Sequence, residues 1–350
     1  MRILVTGHLG YLGSVLVPRL RARGFDVTGV DADWYWRCNF GGSPEVIPSR
    51  RADVRQLSNN DLLGIDAIIH LAGLCNDPLG ELNPELTLEI NTTATLSLAE
   101  KARDAGVKRF IFASSCSNYG AAGEEEVTER SPLNPVTVYG RSKVLAEEGL
   151  SKLAGPDFSP LYLRNATVYG LSPRPRFDLV VNNMVAWAMH SGEVLLKSQG
   201  RAWRPLVHVE DVADAMIAAL LCPRDALHDR AINIGDTQAN HRIIDLANMI
   251  VQQIPGSRLN MLAGAEIDAR SYRVNCDQAL RALPDWKPRR SITEGVSTLC
   301  DALRVQSLGP QDFEGSRYAR LKHLQFLLAT GELNGTLLRN ERRYHRANPA

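Results

Sequence analysis

Tyr139 and Lys143 stand four residues apart in VYGRSKVLAEE, at 138–148. On an α-helix that spacing puts a phenol and an ammonium on one face. An ammonium beside a phenol favours the phenolate, and a second positive charge nearby would move the tyrosine further towards accepting a proton near neutral pH. Just upstream, ASSCSNYG at 113–120 offers Ser115 and Ser117. At a strand end, a hydroxyl from either serine can hydrogen-bond the oxygen on a carbon that gives up hydride. The alternative is a polar strand end with no chemistry.

Hydride needs an acceptor, and the N-terminal residues suit one. ILVTGHLGYLGS at 3–14 runs aliphatic residues into Gly7, Gly10 and Gly13, then into SVLVPRLRARG, which reads as strand, tight turn and helix. Gly7 allows a sharp turn, Gly10 leaves room for a pyrophosphate and Gly13 lets the helix pack close to the strand. Free N–H groups at the helix start face the anion. FDVTGVD then ends in Asp31, roughly 20 residues beyond the glycines, where an acid accepts hydrogen bonds from an adenosine ribose. Its charge repels a 2′-phosphate, so the cofactor is expected to be NAD, although a displaced loop would bring Arg37 to NADP. The nicotinamide ring would then be the second positive charge beside Tyr139. Asp53, in DVR at 53–55, follows a presumed third strand and can meet the adenine edge.

These residues need a sheet whose strands all end on one edge. Strand and helix alternate through 2–6, 14–23, 26–31, 66–73, a long helix around 83–105, and 108–115, which predicts an α/β fold with a parallel, doubly wound sheet. HLAG at 70–73 closes the fourth strand at the carboxyl edge, where such sheets bind ligands. From Gly155 the texture changes, with a strand in GPDFSPLYLRNATVYG and a Pro- and Arg-rich start to LSPRPRFDLVVNNMVAWAMHSG. Arg174 and Arg176 there either grip an anion or line a solvated loop. A strand and helix return in PLVHVEDVADAMIAALL, a strand in AINIGD, and a helix over 240–254. The expected division is a Rossmann-type domain over 1–170 with 206–235 returning to it, a smaller α/β substrate lobe from 171–205 and 236–305, and a C-terminal extension over 306–350.

In that extension seven Lys/Arg against two Asp/Glu leave a local charge of +5 over 315–350. Tyr318, Leu321, Leu324 and Leu328 recur at helical spacing, so a packed amphipathic helix is expected, followed by a frayed basic tail at 340–350. The whole 350-residue chain has a formal net charge of +1, which gives no reason to invoke nucleic acid or a membrane surface. No strongly apolar run approaches the ~18 residues of a membrane span, and a strand at the N-terminus leaves no signal peptide. Six cysteines without C-x-x-C spacing suggest neither a disulfide framework nor a metal site, and a reducing cytoplasm is the expected location.

Together the glycine spacing, Asp31, HLAG, SSCSNYG, YGRSK and RPLVHVEDVADA resemble the extended short-chain dehydrogenase/reductases, specifically the NAD-dependent epimerase/dehydratase family acting on nucleotide sugars. The resemblance covers roughly residues 1–300. It implies tightly held NAD that is reduced and reoxidised within one turnover, with Tyr139 as base, Lys143 on the nicotinamide ribose, and Ser115 and Ser117 assisting. It surrounds NAD with Gly7, Leu9, Gly10, Tyr11, Leu12, Gly13, Asp31, Asp53, Val54, Leu71, Ala72, Gly73, Asn91 and Ser114 as well as Tyr139 and Lys143. It gives the nucleotide sugar Ser115, Cys116, Thr167, Arg176, Asn183, Arg204, Arg270 and Arg273, and it implies a homodimer through helices near 83–105 and 138–153.

Departures narrow the chemistry. Family dehydratases carry an Asp-Glu pair after the serine, where this chain has Cys116 and Ser117, and the decarboxylating branch wants a Glu in that segment. Epimerisation remains, most simply at C4. Thr167 stands where an Asn commonly precedes VYG, and an Arg expected near Ala265 is replaced by Arg270 and Arg273 a few residues on. A keto-sugar reductase using external NAD(P)H, a dehydratase of the same family, and a non-catalytic dinucleotide sensor are the competing readings.

Overall fold

A computed structural model describes residues 1–340 apart from 267, 269 and 284, so all of the expected basic tail beyond Asn340 lies outside the described residues. The chain starts at the centre of its main sheet. Strand β1 (Arg2–Thr6) pairs in parallel with β2 (Asp26–Asp31) on one side and with β4 (Ala67–His70) on the other, while β3 (Ser49–Arg51) forms the edge beyond β2. Strand β5 (Arg109–Ser115), Ser159–Asn165 and Arg230–Ile234 extend the sheet past β4 to seven parallel strands. The order reverses between β1 and β4, and Thr6 stands level with Val30 and His70. A crevice therefore opens at that carboxyl edge, where the glycine turn and HLAG meet.

All of β4 is buried, which explains why AIIH is continuously apolar rather than alternating. Leu16, Val17 and Leu20 of α1 (Gly13–Ala22) pack one face together with Val212 and Met216 of the helix Val209–Leu221. Leu98 and Ala102 of Ala94–Asp104, with Ala146 and Leu150 of Val138–Leu153, cover the other. The return to the main layer begins with Val209. Residues Trp203–His208 instead join Thr167–Tyr169 and Asn240–Arg242 in a separate three-stranded sheet, so the expected start at 206 falls inside a strand outside the main sheet.

The long helix expected around 83–105 is interrupted. Pro84–Leu88 is capped by Asn83, Glu89–Thr93 widens into a π-helical turn, and Ala94–Asp104 resumes the α-helix. Asn91 lies in that turn, and its side chain accepts from Leu74 N (2.8 Å) and donates to Leu74 O (2.9 Å) and Ser142 Oγ (3.0 Å). Likewise the first three residues of the helix expected over 240–254 form strand, and the helix itself is Ile243–Gln253. A second core joins Tyr169, Phe177 and Val181 to Phe40 and to Phe313 and Tyr318 from the extension. The amphipathic helix expected there is Arg320–Ala329.

Candidate active site

The glycine turn is built to leave backbone open. Gly7 has φ +73°, and a side chain on it would press within 2.8 Å of Ala72 N; one on Gly13 would come within 2.3 Å of Gly7 O. Leu12, at the start of α1, provides no side-chain cap, and among the described residues the amides of Leu12 and Gly13 find no partner. Such amides at a helix N-terminus are an anion site. Around them a cleft is lined by Gly7, Gly10, Tyr11, Leu12, Gly13 and Asp31, by Asp53 and Val54, and by Leu71, Ala72 and Gly73. Asp31 accepts from Leu9 N (2.9 Å) and Asp33 N (2.6 Å), so the acid that would face a ribose also ties β2 to the glycine turn.

Five expected cofactor residues do not line this cleft: Tyr139 and Lys143, described below, and Leu9, Asn91 and Ser114, each with a physical reason. Leu9 has its amide on Asp31. Asn91 spends its carboxamide on Leu74 and Ser142, bracing the cleft wall from behind. Ser114 turns its hydroxyl to Glu147 Oε1 (2.5 Å), on the helix-covered face of the sheet. Arg37 bonds Glu332 (2.8 Å) and stacks on Trp36, an arrangement that does not serve an NADP phosphate.

Ser115 ends β5, and its Oγ accepts from Ser117 N (3.1 Å) and donates to Ser117 Oγ (3.0 Å). Thr137 caps the helix Val138–Leu153 through Gly140 N, placing Tyr139 in the first turn and Lys143 one turn on. Among the neighbours of the Tyr139 phenol, Ser115 pulls it most towards the phenolate. Lys143 Nζ donates to Ala113 O (2.8 Å) and lies 4.4 Å from the Phe112 ring and 5.9 Å from the Tyr139 ring. Burial drives the Tyr139 pKa well above that of an ordinary phenol, against the pull of Ser115, and lowers that of Lys143 to about 8. Without a ligand, then, the phenol keeps its proton, and positive charge must arrive to make it a base.

Behind these residues lies a buried polar network. Arg164 Nη2 meets Glu147 Oε2 at 2.6 Å, Glu147 Oε1 also accepts from Asn118 Nδ2 (2.9 Å), and Arg164 Nη1 donates to Tyr119 OH (3.1 Å). Glu147 is one turn beyond Lys143, so the network bolts that helix to the segment following Ser115.

On the substrate side the structure brings some expected residues together and disperses others. Arg204 Nη2 and Arg270 Nη2 share Asp268 Oδ2, at 2.7 and 2.8 Å, and Arg270 also pairs with Asp77, whose other oxygen accepts from Thr137 Oγ1 (2.7 Å). Arg273 lies apart, over the Trp203 ring, and Thr167 is held level with Leu206 in the small sheet. Asn183 donates to Phe177 O and to Glu314 of the extension rather than standing free. Cys116 is 1 % exposed, its thiol donates to Arg164 O, and burial pushes its pKa far up, so it is unsuited to the expected substrate contact. Arg174 and Arg176 are both buried, which overturns the solvated-loop alternative. Arg176 bonds Asp178 and Cys75 O, lines the dinucleotide cleft and lies near enough to Tyr139 to favour its phenolate.

The NAD dependent epimerase/dehydratase family matches residues 3–235. This chain belongs to that family. A UDP-glucose 4-epimerase of Mycolicibacterium smegmatis is 31 % identical over 317 residues, covering 88 % of this chain and 100 % of that protein. Among solved structures, MoeE5 in complex with UDP-glucose and NAD superposes with a TM-score of 0.76 at 27 % identity, covering 88 % of this chain and 100 % of that one. The UDP-glucose-4-epimerase from Stenotrophomonas maltophila with bound NAD gives 0.75 at 26 %, covering 88 % and 99 %.

The cofactor of this family member is NAD, and the cleft fits it: open amides at α1, a cradle that a Cβ would fill, and an acid at the end of β2. Sequence reasoning missed several of its walls. Trp34, Tyr35, Cys75, Ile90 and Arg320 also line the cleft. Trp34 and Tyr35 follow Asp31 closely enough for an aromatic wall to have been read from the sequence; Arg320 arrives from the far end of the chain and left no local signal.

Proposed function

We propose that this protein is an NAD-dependent isomerase that interconverts a nucleotide-activated sugar and its C4 epimer, with a UDP-hexose as substrate. The observation that carries this reading is the set Ser115, Tyr139 and Lys143 next to a dinucleotide cleft. Bound NAD supplies a hydride acceptor that returns the hydride within the same turnover. Tyr139 takes the proton of the C4 hydroxyl, and Ser115 hydrogen-bonds the same oxygen as it becomes a carbonyl. Lys143, fixed on Ala113 O, holds positive charge near the phenol and binds the nicotinamide ribose. Return of the proton from Tyr139 after the keto sugar presents its other face completes the inversion. Arg204 and Arg270 meet the sugar diphosphate by exchanging part of their hold on Asp268.

Elimination of water needs a second acid and base beside the reacting sugar. The Cys116 thiol is buried and bonded to a backbone carbonyl, and Ser117 is a hydroxyl, which favours epimerisation over dehydration. Relatives named for 4-epimerisation of UDP-glucose support the choice of carbon and nucleotide. Incubating purified protein with UDP-glucose and no added cofactor, then separating UDP-hexoses chromatographically, is expected to give UDP-galactose. Conversion that depends on added NADPH, or a product lighter by one water, contradicts the reading.

We also propose a cytoplasmic homodimer. Leu96, Val144 and Leu145 are half-buried on the paired helices Ala94–Asp104 and Val138–Leu153, and a second copy would cover them. No helix among the described residues is long and apolar enough to cross a membrane. A monomer by light scattering at micromolar concentration would count against the dimer.

A further inference from the structure

Residues 310–340, outside the family-matched stretch, lie against the dinucleotide cleft. Leu324 and Leu327 of the helix Arg320–Ala329 pack with Trp34, Leu74, Leu79 and Ile90. Hydrogen bonds fasten the segment along the ends of β2 and β3 and the connection between them: Arg339 Nε to Ala32 O (2.7 Å), Arg55 Nη2 to Thr336 O (2.8 Å) and Tyr318 OH to Asn39 O (2.9 Å).

Arg320 is what this segment delivers into the cleft. Its residue is 2 % exposed, its guanidinium carbon lies 3.7 Å from the Tyr35 ring centroid, and Nη2 donates to Arg174 O (3.2 Å) and Pro175 O (3.3 Å). Nη1 is buried with no partner, and the carboxylate that feels the Arg320 charge, Asp178, is bonded to Arg176. A buried cation that must share its counter-ion with a second arginine is costly and calls for a further anion. Arg320 lines the same cleft as the glycine turn and Arg176, and Arg176 already has Asp178. The anionic part of a dinucleotide is its diphosphate, and a guanidinium fork matches phosphate oxygens.

We propose that Arg320 binds the diphosphate of NAD, so that the C-terminal segment completes the cofactor site; this rests on the dinucleotide reading of the cleft. Two consequences follow. The segment must detach for cofactor to exchange, and it grips the phosphates rather than the nucleoside.

The test is calorimetric titration of cofactor-stripped full-length protein with NAD, ADP-ribose and adenosine, comparing wild type with R320Q and R320K. R320Q is expected to weaken NAD and ADP-ribose by ~10–100-fold, the range for a hydrogen bond to a charged group, and to leave adenosine unchanged. R320K should recover part of the loss. Equal ADP-ribose affinity in wild type and R320Q, or an equal loss for adenosine, overturns the proposal. Wild type that binds none of the three overturns the dinucleotide reading itself. Hydrogen exchange on the wild type keeps the question open to refutation should R320Q not fold. Exchange over 318–333 is expected to slow with ADP-ribose and not with adenosine, and unchanged exchange with ADP-ribose overturns the assignment.

Discussion

Lys143 Nζ donates to the carbonyl of Ala113 at 2.8 Å, two residues before Ser115 on the same strand. Together with the Ser114–Glu147 bond, this hydrogen bond sets the distance between the helix that carries Tyr139 and the strand that carries Ser115. It also holds the ammonium 5.9 Å from the centre of the Tyr139 ring.

Tyr139→Phe keeps the ring and its packing but removes the group placed to take the substrate proton. Turnover is expected to fall by about 10²–10⁴, with NAD still bound. Ser115→Ala should cost less, since Tyr139 and Lys143 remain. Near-full activity in Tyr139→Phe, measured by product formation under saturating substrate, would remove the tyrosine from the proton route.

Breaking the buried Glu147–Arg164 pair should affect stability before chemistry. Arg164→Met leaves the Glu147 carboxylate without its partner in an interior where both side chains are 7 % exposed. Loss of one partner of such a pair costs about 3–5 kcal/mol, measurable by urea denaturation. A midpoint equal to wild type would show that the network does not carry the load assigned to it here.

Acid sensitivity has an identifiable source in His70. Its ring nitrogens lie 2.6 Å from Thr6 Oγ1 and 2.9 Å from Thr95 Oγ1, and burial lowers its pKa from 6.5 to about 3. A depressed folded pKa means that the neutral form is held. Its contribution is fully present above pH 6.5 and is lost as pH falls towards about 3, at roughly 1.4 kcal/mol per pH unit. His208, lowered to about 4, acts in the same direction. His70→Gln should therefore flatten the pH dependence of unfolding free energy in that window by about this slope. An unchanged slope would show that His70 does not titrate as described.

Asp31 is expected to decide the dinucleotide. Removing it by Asp31→Ala takes away a ribose acceptor and the repulsion of a 2′-phosphate together, so titration should show NAD weakened more than NADP. The same substitution frees Leu9 N, so some loss for both cofactors is expected. Wild type that prefers NADP would contradict the role given to this carboxylate.

Local signals in the sequence carried the central strands, because apolar runs ending in glycine or a polar residue belong to strands buried on both faces. β1, β2 and β5 lie within a residue of their expected limits. The Tyr139–Lys143 pair was equally legible, since helical spacing alone puts both on one side. What sequence spacing does not show is which way a side chain turns in an irregular segment. Ser115 and Ser117 bond one another while Cys116 between them is buried against Arg164 O. Nor does it show long-range delivery. The stripe Leu321, Leu324 and Leu328 is read correctly as a packed helix, yet nothing in it says that Arg320, one residue earlier, ends in a cleft formed some 300 residues away.

The most direct measurement is the fate of a deuterium at C4. UDP-glucose carrying the label at C4 is incubated with purified enzyme, without added cofactor, and the products are read by mass spectrometry and proton resonance. If Tyr139 takes the C4 hydroxyl proton while the C4 hydride leaves and returns, the epimer carries the deuterium at C4 and has the mass of the substrate. Loss of the label, inversion at another carbon, or loss of water would contradict C4 epimerisation.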